Sequence, residues 1–301
     1  MKEKIPASER WKSILGPVVR IVFAIFLVGV AVAVAQVAVK LLRDALSLGG
    51  AVPTAYYLVY LIVSVLAAYL TYWAYVRGVE KRSVTELSGA GAPRELGIGA
   101  LVGLGMVVAI VGTLWLLGYY QITGVNAWTV TFVLLANDGA GAFVEEIILR
   151  GIIFRVTEEK LGTWMALGIS IVLFSLLHLT SPGATVMSTL VVGLEAGILL
   201  SAAYVLTRRL WLAIGIHFAW DFSQDYVFGV SRGADGLVRA QLTGPASLSG
   251  GSAGIEGSIL ALILCLLVSA YLLVRSAQKG NIVRPSSGGG REKDDPVRAN
   301  G

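Results

Sequence analysis

Phe143-Val144-Glu145-Glu146-Ile147-Ile148-Leu149-Arg150-Gly151 lies inside an apolar run from about Trp128 to Phe154. If that run crosses a bilayer, two adjacent carboxylates and a guanidinium stand at membrane depth, where ionisable groups are expensive and mark functional positions by default. Glu146 and Arg150, four apart on a helix, can neutralise each other. Glu145, about 100° further round the same helix, has no such local partner.

The rest of the chain supports the membrane reading. Of its 301 residues 56% are hydrophobic and 14% charged, with a mean hydropathy of +0.76, whereas soluble domains carry roughly 25% charged residues. Apolar runs long enough for a core of about 30 Å recur at 14–38, 54–76, 97–119, 127–156, 162–180, 186–207, 210–228 and 255–275. The expected fold is therefore all-α and polytopic, with about eight transmembrane helices. Residues 1–12 form a cytoplasmic N-terminal segment, 13–275 the helical domain, and 276–301 a disordered cytoplasmic tail too poor in apolar residues to fold. The first apolar run is not followed by a small-residue cleavage site and reads as a span, not a signal peptide.

Lys and Arg set the orientation. Segments 1–12, 77–94, 155–160, 208–209 and 275–301 hold 18 of the 24, which places both termini in the cytoplasm. The loop from Gly229 to Gly254, rich in Gly and Ser, falls outside and is expected to be irregular. Arg20 is expected to snorkel to the inner interface, and Tyr72, Trp73, Tyr75 and Trp211 to anchor helix ends. The single cysteine, Cys265, provides neither a disulfide framework nor a thiolate metal site. Scattered basic residues give no ground for nucleic-acid binding, and membrane lipids are the expected partners. Gly97, Gly99, Gly103 and Gly105 can pack helices within the fold or between copies, so the oligomeric state stays open.

Both histidines lie in apolar spans: Phe174-Ser175-Leu176-Leu177-His178 in the fifth and His217-Phe218-Ala219-Trp220-Asp221 in the seventh. If the fourth helix turns at Leu161-Gly162, Glu145 and His178 lie sixteen residues either side of the turn and reach the same height on antiparallel neighbours. His217 and Asp221 share one helix face. A polar site between helices 4, 5 and 7 follows, and counting from Arg209 suggests that it opens towards the cytoplasm. A desolvated carboxylate suits proton abstraction from water, and imidazoles could hold that water or stabilise an oxyanion. Two imidazoles and a carboxylate, here Glu145, His178 and His217, would also make an acceptable zinc shell. Glu195 either faces the cavity or bonds a neighbouring hydroxyl. Asp225, two turns beyond His217, either lines the mouth of the site or, the favoured reading, marks the outer helix end.

Glu-Glu-x-x-x-Arg-Gly at 145–151, Phe-x-x-x-His at 174–178 and His-x-x-x-Asp at 217–221, in this order on successive apolar helices, resemble the CPBP intramembrane proteases. That group includes the CAAX prenyl endopeptidases of the Rce1 type and the bacterial Abi bacteriocin-immunity proteins. The resemblance covers a core of about 127–228. It implies a metalloprotease-like intramembrane endopeptidase for membrane-anchored, lipidated or prenylated peptide substrates. Glu145 would activate water beside His178, His217 and residue 221 would line the oxyanion side, and Glu146 and Arg150 would support them. Zn2+ is possible, with a metal-free route preferred. The family often has Asn where this chain has Asp221. Two other readings remain: a proton-coupled transporter, whose relay would use the same groups, and a non-catalytic membrane scaffold or immunity protein.

Overall fold

Gly162 decides how the longest apolar stretch folds. In the computed structural model, which describes residues 7–46, 53–180, 184–231 and 236–285, residues 130–180 form one almost continuous helical stretch. Gly162 breaks it with φ 79° and ψ 167°. That conformation is open to glycine and strained for other residues, and a Cβ there would also run into Pro285. The turn expected at Leu161-Gly162 thus sets two antiparallel limbs.

The elements in order are α1 (Ala7–Ala45), α2 (Thr54–Tyr75), α3 (Ala92–Leu116), β1 (Tyr120–Val125), α4 (Val130–Glu146), α5 (Arg155–Leu177), α6 (Val186–Thr207), α7 (Trp211–Phe222), β2 (Val238–Leu242), α8 (Ala246–Ser249) and α9 (Ile259–Gln278). A π-helical segment, Ile147–Phe154, joins α4 to α5, and another, Ser223–Val227, extends α7. Six helical stretches among the described residues are long and apolar enough to cross a membrane, the fourth being the one that Gly162 breaks. The protein is an all-α polytopic membrane protein, but the count of eight spans is not established, because α7 with its π-helical extension stays outside that set.

Local chemistry accounts for several boundaries. Thr185 and Ser188 form a reciprocal capping box at the start of α6, and Ser258 caps α9 by accepting from the Ala261 amide. Gly99 and Gly103 of α3 lie against α7. A Cβ at Gly99 would come 2.5 Å from the Leu212 carbonyl, and one at Gly215 would come 2.5 Å from that of Leu96. Backbones can approach this closely only without side chains. Gly97 and Gly105 face open space instead, so half of the glycine pattern serves packing within the fold.

Two apolar cores result. One gathers Val107, Leu114, Leu200, Ile216 and Cys265 around α3, α6, α7 and α9; the other gathers Ala24, Tyr72, Phe143, Ile147 and Val205 around α1, α2, α4 and α6. Val22, Phe26, Leu41, Leu101 and Leu267 are exposed, as expected of side chains that face lipid.

The helix directions define two ends. At one, Arg20 bonds Glu80 at 2.6 Å, Arg155 bonds Glu80 at 2.7 Å, Arg82 bonds Glu86 at 2.6 Å and Arg208 bonds Glu158 at 2.5 Å. Arg20 is therefore an ion-pair partner, where snorkelling was expected. Tyr72 is fully buried beneath this layer with its hydroxyl between Glu86 and the Gly151 carbonyl, so it is a core residue and not an interfacial anchor. At the other end β1 and β2 pair antiparallel from Tyr120↔Leu242 to Val125↔Val238. The 229–254 loop, expected to be irregular, thus contains a strand and short helices. The C-terminal boundary falls later than 275: Asn281 donates to the Val205 carbonyl at 2.9 Å, and Val283 exchanges two hydrogen bonds with Thr163. Residues 1–6 of the N-terminal segment, Arg232 of the outer loop and the tail from 286 lie outside the described residues.

Candidate active site

The motif residues meet where the two cores adjoin. Glu145 and Glu146 end α4, just before the first π-helical segment. That wider turn, a form often found at functional sites, carries Arg150 inward. Arg150 and Glu146 are both fully buried and 2.8 Å apart. Arg150 also donates to the Ala196 carbonyl at 2.9 Å, and its guanidinium stands 5.3 Å from the centre of the Phe174 ring. One side chain therefore ties α4, α5 and α6 together.

Phe174 has a second face to offer. The His178 imidazole stacks on it with centres 4.6 Å apart and planes inclined by 15°. His178 Nδ1 lies 2.9 Å from the Phe174 carbonyl, a partner that can only accept, so Nδ1 carries a proton and, in the neutral ring, Nε2 is the lone-pair nitrogen. This explains the Phe-x-x-x-His spacing: Phe174 holds the ring, and its carbonyl selects the tautomer.

His217 sits among three carboxylates. Its Nδ1 is 3.0 Å from Glu146, its Nε2 is 3.3 Å from Asp221 and 3.9 Å from Glu145. The Glu146 contact fixes ring orientation in the way a carboxylate commonly orients an imidazole. The Glu145 distance is too long for a direct hydrogen bond and short enough for one water to touch both groups. Glu145 keeps 44% of its side-chain surface exposed while its neighbour Glu146 keeps none. That contrast separates an available carboxylate from a paired one.

Glu145, His178, His217 and Asp221 line one cavity. The six residues expected at the site are thus brought together, four around the cavity and two, Glu146 and Arg150, buried beside it against His217 and Phe174. α6 joins helices 4, 5 and 7 as a wall through Ala196 and Leu199. Glu195, 3% exposed, also lines it, with Oε1 unpartnered. Zinc on Glu145, His178 and His217 was the alternative to the preferred metal-free route; among the described residues no three His, Cys, Asp or Glu side chains are placed to hold an ion.

A second cavity adjoins the first at His178, Val192, Asp221 and Glu256 and extends past Asp138 and Asp225 to Ser231 and Ala253. It extends towards the end bearing β1 and β2. By residue count along α4 and α7 the site itself lies nearer the arginine-rich end. Asp225 lines this vestibule, the less favoured of its two expected places.

Sequence reasoning passed over Asp138, Gln224 and Glu256. Asp138 precedes Glu145 by seven residues and Gln224 follows His217 by seven, so both lie on the faces already under scrutiny. Glu256 precedes α9 in a glycine-rich turn and had no periodic signal to reveal it.

Residues 126–223, about a third of the chain, match the family model described as type II CAAX prenyl endopeptidase Rce1-like. All three motifs fall within the matched residues. The match carries the Rce1-type side of the resemblance and says nothing for the bacteriocin-immunity side. No curated protein and no solved structure matches the chain.

Proposed function

We propose, from the premise that this chain is a membrane protein of the Rce1-like, CAAX-type protease family through residues 126–223, that it hydrolyses a peptide bond of a membrane-anchored substrate with water activated by Glu145. The observation that carries this reading is Glu145 itself: a cavity-facing carboxylate 3.9 Å from His217 Nε2, beside a paired and fully buried Glu146. Whether the anchor is a prenyl group belongs to the same proposal and rests on the family description alone.

Water held between Glu145 and His217 gives a proton to the Glu145 carboxylate as its oxygen adds to the scissile carbonyl. His217, oriented by Glu146, stabilises the oxygen on which charge develops, in a site screened from bulk water. Collapse of the tetrahedral adduct breaks the C–N bond, and the proton held by Glu145 passes to the departing amine. One water is consumed and one acid and one amine are formed. His178 Nε2 faces the same cavity and accepts a hydrogen bond from the water or the amine.

With the arginine-rich end in the cytoplasm, the mouth lies on the non-cytoplasmic side, and this topology is part of the proposal. In liposomes, a membrane-anchored peptide should be cleaved by the wild-type protein and not by Glu145→Gln; equal cleavage by both would remove Glu145 as the base.

A further inference from the structure

The vestibule above the site has an unusual lining. Asp138, Asp221, Asp225 and Glu256 share it, and among its described lining residues there is no Lys or Arg; His178 is the basic group. Neighbouring carboxylates in a poorly solvated space repel one another, and a cation relieves that repulsion. Gln224 gives an independent indication of a missing donor. It is 3% exposed, its Nε2 donates to Glu256 at 2.8 Å, and its Oε1, in the same vestibule, has no partner. A buried amide oxygen left unbonded costs about 1–3 kcal/mol, so the space suits an N–H group. Asp138 Oδ2 is likewise buried without a partner.

We propose that this vestibule is a subsite for a basic side chain, Lys or Arg, of the substrate peptide, lying beside the scissile bond on the side towards β1 and β2. A lysine ammonium or arginine guanidinium supplies several donors and a positive charge, matching four carboxylates and the unpartnered oxygens of Gln224 and Asp138. A bare metal ion fits less well, since no three acidic or imidazole groups among the described residues are placed to hold one. A phospholipid headgroup would bring its phosphate along with any ammonium, against the same carboxylates. The term substrate rests on the proteolytic reading above; the binding claim does not.

The test uses Glu145→Gln protein in neutral phosphatidylcholine nanodiscs and dye-labelled acylated peptides that differ only at two adjacent positions, Lys-Lys, Gln-Gln or Glu-Glu. Fluorescence anisotropy should show the Lys peptide binding about tenfold more tightly than the Gln peptide, the Glu peptide weakest, with the difference shrinking in salt. Adding Asp138→Asn and Asp225→Asn together should bring the Lys and Gln peptides within about twofold. The single variants, each judged with its thermal midpoint, carry the test if the combination unfolds. Equal binding of Lys and Gln peptides, or a Lys preference unchanged in folded variants, overturns the subsite. A Lys preference that depends on Asp138 and Asp225, in a protein whose wild type cleaves none of the peptides, upholds the subsite while rejecting the proteolytic reading.

Discussion

Two clusters of buried charge divide the labour of this molecule, and they differ in how completely they are paired. At the arginine-rich end, Glu80 receives Arg20, Arg82 and Arg155, and Glu86 receives Arg82 and Tyr72. Around His217, by contrast, three carboxylates meet one imidazole, and only Glu146 has a guanidinium. Full pairing offsets the desolvation of buried ions and locks helices. Incomplete pairing leaves groups free to bind a proton, a water or a substrate. The first cluster should therefore govern stability and the second chemistry.

The largest effect expected is on chemistry. Replacing Glu145 with Gln should lower cleavage of a membrane-anchored peptide by about 10²–10⁴-fold, the usual contribution of a positioned base, with the thermal midpoint in detergent little changed. A comparable loss accompanied by unfolding would place Glu145 with the structural cluster instead. Arg150 probes the boundary between the clusters. Arg150→Met leaves Glu146 buried without its guanidinium and should cost about 3–5 kcal/mol. Combining it with Glu146→Gln should recover part of that stability, and denaturant unfolding of the two variants measures the recovery. No recovery would show that Arg150 acts through Ala196 and Phe174 and not through Glu146.

The arginine-rich end should respond in the opposite sense. Glu86→Gln turns an amide N–H towards Arg82 and should cost about 1–3 kcal/mol with peptide cleavage unchanged. Burial alone would push the Glu86 carboxyl up, but hydrogen bonds from Arg82 and Tyr72 outweigh it and hold it below the ordinary range. A carboxyl lowered on folding contributes stability above its unfolded value of about 4.3, and that contribution is lost as pH falls through the folded value. Below about pH 4.3, wild-type stability should therefore drop more steeply than that of Glu86→Gln. Parallel curves would mean that Glu86 is not held ionised by its partners.

Much of this division could be read from residue order. The partnerless Glu145, the i,i+4 spacing of Glu146 and Arg150, and the turn at Gly162 were visible because each follows from helix periodicity. What periodicity could not supply was contact between distant segments. Arg20 meets Glu80 and Glu159 across 60 and 139 residues, and Tyr72 meets the Gly151 carbonyl across 79. The π-helical segment at Ile147–Phe154 has no composition of its own to announce it. Glu256 reaches the vestibule from a turn before α9, a position that amphipathic patterning does not describe.

Asp221 is the finest test of the comparison, because it belongs to the incompletely paired cluster yet stands 3.3 Å from His217 Nε2, closer than Glu145. An ionised carboxylate there accepts the Nε2 proton and competes with any developing oxyanion for it, whereas an amide offers an N–H of its own. Asp221→Asn should therefore keep cleavage within about tenfold of wild type and move kcat more than KM, since the affected interaction forms in the transition state. Asp221→Leu removes both possibilities and should fall further, towards the loss of about 10²-fold seen when one oxyanion donor is deleted. If Asp221→Asn fell as far as Glu145→Gln, proton abstraction would belong to Asp221. Glu145 would then be the neighbour that tunes it, and the roles of the two carboxylates on either side of His217 would exchange.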